Sequence, residues 1–210
     1  MDGRARRYVA AGEIFSTIRT SAGTDFQDNA FNDIQVQLLA HSSTSGSYVL
    51  MGRAFVLFDT SSIKSGATIT SAILSLLASN LSSTNGLGSP DTHIVSSTPA
   101  SNTTLAASDY GQIGSVSFGS LTWASIVDNV YNDFTLNASG INNISLIGIS
   151  KFAVRNSWDI NNSFTGTWVA DGNTNRVFQA AESAGTSQDP KLVVTYTVPA
   201  NPKQDVIWFD

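Results

Sequence analysis

The sequence predicts an all-β protein, an antiparallel β-sandwich of jelly-roll topology with at most one short helix. Three observations support this. Short apolar or alternating segments recur along the chain, turn-forming residues separate them, and helical periodicity is almost absent. The clearest segment runs from Arg53 to Ala78. Ala54-Phe55-Val56-Leu57-Phe58 is rich enough in β-branched and aromatic residues for a buried strand, and Asp59-Thr60-Ser61-Ser62 breaks it. Lys64-Ser65-Gly66 supplies turn chemistry, and Ala72, Leu74 and Leu76 then fall on one face of a second strand.

The other elements follow in chain order. Residues 8–19 and 34–40 read as strands, the second with Ile34, Val36 and Leu38 on one face, and the acidic loop Asp25 to Asp33 lies between them. Residues 47–58 and 67–78 are the strands just described. Asn80 to Pro90, rich in Ser, Asn and Gly, is loop. A short strand falls at His93-Ile94-Val95, and Leu121 to Val127 suits either a strand or one helical turn. Asp133 to Asn137 alternates as a half-buried strand, and Ser139 can N-cap the single helix expected, over 140–146. Residues 149–158, 174–182 and 191–198 complete the set, the last with Leu192, Val194, Tyr196 and Val198 on one face. Residues 1–12 then form an N-terminal arm, 13–198 the sandwich and 199–210 a C-terminal tail.

Composition narrows the function. A chain of 210 residues buries roughly 70% of its unfolded surface, and this one has no cysteine with which to staple itself. Charged residues make up 13%, against about 25% in ordinary globular domains, so Ser, Thr, Asn and Gly fill the surface. The net charge of −5 argues against a nucleic-acid partner. No run approaches the roughly 20 apolar residues of a membrane span, and Tyr8 to Glu13 is too short and too soon interrupted for a signal peptide.

Little in the chain suggests catalysis. His41 and His93 stand in Ser/Thr-rich contexts, and neither a nucleophile elbow, a zincin motif nor a phosphate-binding loop is present, so no catalytic residue is expected. Structural calcium is the one cofactor with any pattern behind it. Asp159, Asn161 and Ser163 share the spacing of oxygen ligands in a calcium loop, although Phe164 and Ala170 replace the Gly and Glu such a loop needs. Asp25, Asp28, Asn29 and Asp33 form a second oxygen-rich loop, and turn capping accounts for both equally well. Trp158 and Trp168, with Asp159, Asn161 and Asn162, could form a carbohydrate platform; the competing assignment is hydrophobic core. Arg53 interrupts an apolar strand, so it either reaches past the core edge or pairs with a carboxylate such as Asp59. Arg4, Arg6 and Arg7 are either a solvated end or a docking arm for an acidic neighbour. Ile207-Trp208-Phe209 either packs back on its own domain or inserts into a neighbouring subunit.

The segments Arg53–Ala78 and Asp189–Thr197 (DPKLVVTYT) resemble DNRLRE-type sandwich domains. Such domains have an Arg-led apolar strand, an F-D-x-S-x-I turn and a closing P-K-L-x-V-x-Y strand. They occur in microbial surface proteins, and some relatives bind carbohydrate. The middle of the chain, including VSSTPASNTTLAASDYGQIGSVSFGS and YNDFTLNASGINNISLIGISKF, resembles uncharacterised proteins of environmental tailed phages. The two resemblances span about residues 13 to 198. They imply a sandwich fold and assign no binding residue. The resulting expectation is a non-enzymatic virion structural protein: a head decoration, head fibre or tail component that assembles with other virion subunits or with itself as a homo-oligomer. It would display polar loops, with a host-surface glycan as a further partner. The alternative is a carbohydrate-binding module of a bacterial surface or secreted protein.

Overall fold

Two antiparallel sheets pack face to face in the computed structural model, which describes residues 1–28, 33–182 and 185–198. The strands are β1 (Asp2–Ile14), β2 (Asp25–Asp28), β3 (Asp33–Ala40), β4 (Ser47–Asp59), β5 (Thr68–Leu77), β6 (Ser83–Asn85), β7 (Thr92–Ser96), β8 (Gly119–Leu121), β9 (Tyr131–Thr135), β10 (Ile149–Asn156), β11 (Asn173–Gln179) and β12 (Lys191–Thr197). Three short helices join them, α1 (Phe15–Thr20), α2 (Ala138–Asn142) and α3 (Ser157–Asn161). The larger sheet has nine strands, ordered β6-β11-β3-β4-β10-β7-β8 with β1 and β2 attached, and the smaller is β12-β5-β9. The all-β sandwich is as the sequence predicts. Its strands divide nine to three, where a jelly roll distributes about eight over two sheets.

The layer between the sheets is the first core. Ile34, Val36, Ala54, Val56, Phe152, Val154 and Phe178 from the large sheet meet Ala72, Leu74, Leu76 and Phe134 from the small one, all buried. The large sheet is also covered on its other face. Leu38, Met51, Phe55, Leu57, Val95 and Ala153 point there, under Ile18 of α1, Tyr110 of a 3-10 turn, Trp158 of α3 and Leu87. A strand buried on both faces cannot alternate apolar with polar. This is why β4 is apolar at nearly every position from Tyr48 to Phe58.

The register of β4 sets the architecture. One edge pairs with β1 from Ser47 to Val56; the other pairs with β3 from Tyr48 to Gly52 and with β10 from Ala54 to Asp59. Arg53 stands where the partner strand changes. Gly12, at φ +70°, closes a bulge in β1 between Tyr8 and Glu13, and a Cβ there would lie 2.3 Å from the Ser47 hydroxyl.

Several expectations change. Residues 1–12 are no arm, because they form most of β1 inside the large sheet. Two helices, α1 and α3, replace the ends of predicted strands, and α2 is capped by Asn137 rather than Ser139. Leu121 to Val127 divides into the end of β8 and a 3-10 turn at Trp123–Ser125. Leu192 and Val194 of β12 face the first core as expected. A register shift after Thr195 breaks the alternation, and Tyr196 and Val198 are exposed.

Asp2 anchors the start of the chain. Its buried carboxylate accepts the Ala181 N–H at 2.9 Å. Burial, with a smaller contribution from Glu182, raises its pKa to about 7. An unfolded aspartate loses its proton near 3.9, so folding takes up a proton between about pH 4 and pH 7. The contribution of Asp2 is therefore most favourable below that window and declines as pH rises through it. Asp2→Asn should flatten this decline, as measured by urea midpoints between pH 4 and pH 8.

Candidate functional site

The second face of the large sheet carries charge as well as apolar side chains. Strand alternation directs Arg53 of β4 to the same side as Met51 and Phe55, and Arg155 of β10 to the same side as Ala153. The α3 helix follows β10 directly. The Asn156 side chain caps it by accepting the Asp159 N–H at 2.9 Å, which sets Asp159 one turn after Arg155.

Two guanidinium groups fork onto this one carboxylate. Asp159 Oδ2 accepts from Arg53 Nε and Arg155 Nε, each at 2.8 Å, and Oδ1 accepts from Arg53 Nη2 and Arg155 Nη2, each at 2.7 Å. Arg155 Nη2 also donates to the Asp159 carbonyl at 2.9 Å, and Arg19 Nε of α1 donates to the same oxygen at 2.5 Å. Arg53 further donates to the carbonyls of Tyr110 and Arg19, at 2.7 and 2.9 Å, and lies 4.0 Å over the Tyr110 ring. The Tyr110 hydroxyl donates to the Ile18 carbonyl at 2.8 Å. One carboxylate thus ties together β4, β10, α1, α3 and the turn that carries Tyr110. Burial alone would raise the Asp159 carboxyl, but Arg53 and Arg155 outweigh it and hold it well below the usual carboxylate range.

The predicted site residues separate. Asp159 is buried and faces the arginines, whereas Asn161 at the end of α3 and Asn162 and Ser163 beyond it are exposed. They do not form a calcium loop with it, because paired guanidinium groups already occupy both carboxylate oxygens. Among the described residues, no group of three or more His, Asp or Glu side chains is placed to hold a metal ion. Of the second oxygen-rich loop, Asp25 pairs with Arg6, and Asp28 accepts the Leu105 N–H at 2.6 Å. Asp33 lies 3.7 Å from Arg4, and Asn29 is outside the described residues.

Trp158 is core rather than platform. It is 5% exposed, stands edge-on to Phe164 at 4.7 Å and donates Nε1–H to the Thr165 hydroxyl at 3.0 Å. The loop wraps it so closely that a Cβ on Gly166 would lie 2.8 Å from Trp158 Cζ2. Trp168 is half-buried, its Nε1–H bound to the Ser47 carbonyl at 2.9 Å.

The basic cluster is not a docking arm. Arg6 pairs with its cross-strand neighbour Asp25, Arg7 with Glu13 across the β1 bulge, and Arg4 is buried next to Asp33. Arg53 finds Asp159 rather than Asp59, and Ile207, Trp208 and Phe209 lie outside the described residues. Sequence reasoning missed the Arg19–Arg53–Arg155 set. Its one local signal was the i, i+4 spacing of Arg155 and Asp159.

No protein-family model matches this chain, and no curated protein does. The site is therefore read from its own geometry.

Two substitutions test that reading. Asp159→Asn leaves buried guanidinium groups without their counter-charge and should cost about 3–5 kcal/mol in urea denaturation. Because the Asp159 pKa is depressed by folding, its stabilisation is complete above the unfolded value near 3.9 and is lost as pH falls below it. Trp158→Ala should cost about 3–5 kcal/mol by the same assay, as expected of a core position.

Proposed function

We propose that this chain is a non-enzymatic structural subunit of a phage particle, which displays a rigid β-sandwich and assembles with neighbouring copies through its C-terminal strand and tail. One observation carries the reading. Strand β12 ends the small sheet, pairing only with β5 among the described residues; it exposes Val193 and Tyr196, and Val198 just after it is exposed as well. An edge strand with apolar side chains and free backbone groups is a template for another chain, and natural proteins usually blunt such edges. Lys191 sits at the start of β12 with its ammonium 3.8 Å from the Tyr131 ring centroid, which leaves the later part of the strand without a charge.

Beyond Val198 the sequence continues for twelve residues and closes on Ile207-Trp208-Phe209 before Asp210. An apolar segment that follows an apolar edge strand after the largely polar stretch from Pro199 to Asp205 suits an assembly element, whose natural partner is another copy of the same sandwich. The resemblance of the middle segments to tailed-phage proteins supports reading that assembly as part of a virion.

Sedimentation of the full chain beside a version ending at Val198 tests the proposal. The full chain should form a defined oligomer and the shortened one a monomer. Val193→Lys with Tyr196→Lys should dissociate the oligomer, and in the monomeric chain ending at Val198 should leave the urea midpoint unchanged, since both side chains already face solvent. Compact monomers from both chains would overturn the assembly role.

A further inference from the structure

We propose that the pocket lined by Arg19, Arg53 and Arg155 is an anion-binding site for a compact oxyanion, a phosphate, sulfate or carboxylate group on a small ligand. The pocket opens between α1 and the segment after Tyr110, with a volume of about 290 Å³ and with Thr20, Gly111, Ile113 and Ser115 completing its wall. That lies just below the range of roughly 300–1,000 Å³ typical of small-molecule sites, a scale that suits a compact polar group.

Charge and donor accounting support this assignment. Three guanidinium groups surround one carboxylate, and among the described residues Asp159 is the one carboxylate acting electrostatically on Arg19 or Arg53. A purely structural ion cluster would be expected to balance its charges, because uncompensated buried charge is costly. Here three positive charges meet one negative charge, so the cluster keeps a net positive charge. A guanidinium carries five N–H donors. The bonds of Arg53 and Arg155 to Asp159 and to nearby carbonyls use four each. Arg19 bonds through Nε alone, so both its terminal nitrogens have no partner among the described residues, although the side chain is only 18% exposed. A planar fork of free donors, held in a cleft beside two further guanidinium groups, is the arrangement that recognises oxyanions. Asp159 serves the site by fixing Arg53 and Arg155, so the donors are placed before a ligand arrives. The chain as a whole carries −5, which makes this cationic pocket a local feature and not part of a basic surface.

Isothermal titration calorimetry of the full chain at constant ionic strength tests the site. The probes are inorganic phosphate, sulfate, acetate and glucuronate, with sodium chloride and glucose as controls. One-site saturable binding of at least one anion is expected, with chloride and glucose silent. Arg19→Gln, which keeps a side chain able to reach the Asp159 carbonyl, should weaken it by about tenfold or more. Ser115→Asp should do the same from the exposed rim, leaving the buried network and the urea midpoint unchanged. Glucuronate binding tighter than acetate would identify the oxyanion as that of an acidic sugar, and phosphate or sulfate binding tightest would identify a free or esterified inorganic group; either result supports the site. No saturable binding by any anion, or unchanged affinity in Ser115→Asp, would overturn it.

Discussion

The second face of the large sheet depends on one buried carboxylate. A charge taken out of water is expensive, and an ion pair returns that cost only when its geometry is near ideal and its remaining hydrogen-bonding capacity is used. Asp159 meets both conditions, with a guanidinium fork on either side and its own carbonyl accepting two further N–H groups. Elements far apart in sequence, α1, β4, the turn at Tyr110 and the β10–α3 junction, are thereby held in one arrangement. An apolar cluster of equal volume could be as stable, but it would specify position less strictly, because apolar contacts have no direction.

This anchor explains why the molecule has an unequal sandwich. The small sheet covers one face of the large sheet, so the opposite face needs another lid. Short helices and loops provide it, and segments this short are marginal alone and depend on tertiary contacts to stay in place. The arginines lock them down. In the small sheet the last strand pairs on one side only, with β5, among the described residues. Rigidity and availability thus fall on opposite sides of the protein.

Much of the fold could be read from the chain, and the reasons for the failures are physical. The run Ala54–Phe58 announced a buried strand, and Ala72, Leu74 and Leu76 announced the face that meets it. Helix α1 was hidden because Ile14 at its N-cap makes no side-chain capping bond and Thr17, Ile18 and Thr20 favour strands. Helix α3 did have a cap in Asn156, but the apolar strand before it and Trp158 within it extended the strand pattern across the boundary. The charged network was mostly illegible: Arg53 and Asp159 lie 106 residues apart, and no local rule connects them. Asp159 drew attention as a loop ligand, the role its neighbours Asn161 and Ser163 suggested, while its true partners came from three other elements. The N-terminal arginines misled in the same way, since the strand and bulge that pair them with Asp25 and Glu13 are visible only in the folded chain.

The divided edge of β4 governs how the protein comes to be made. Its first half can zip to β3 through a short connection, but its second half waits for β10, about a hundred residues later in synthesis. Until those residues leave the ribosome, the most apolar strand of the protein stands half-paired, with the Arg53 side chain at the boundary and its counter-charge not yet translated. Folding is therefore dominated by distant contacts and belongs with the slower β topologies, and the nascent chain carries its greatest aggregation hazard over the interval between β4 and β10.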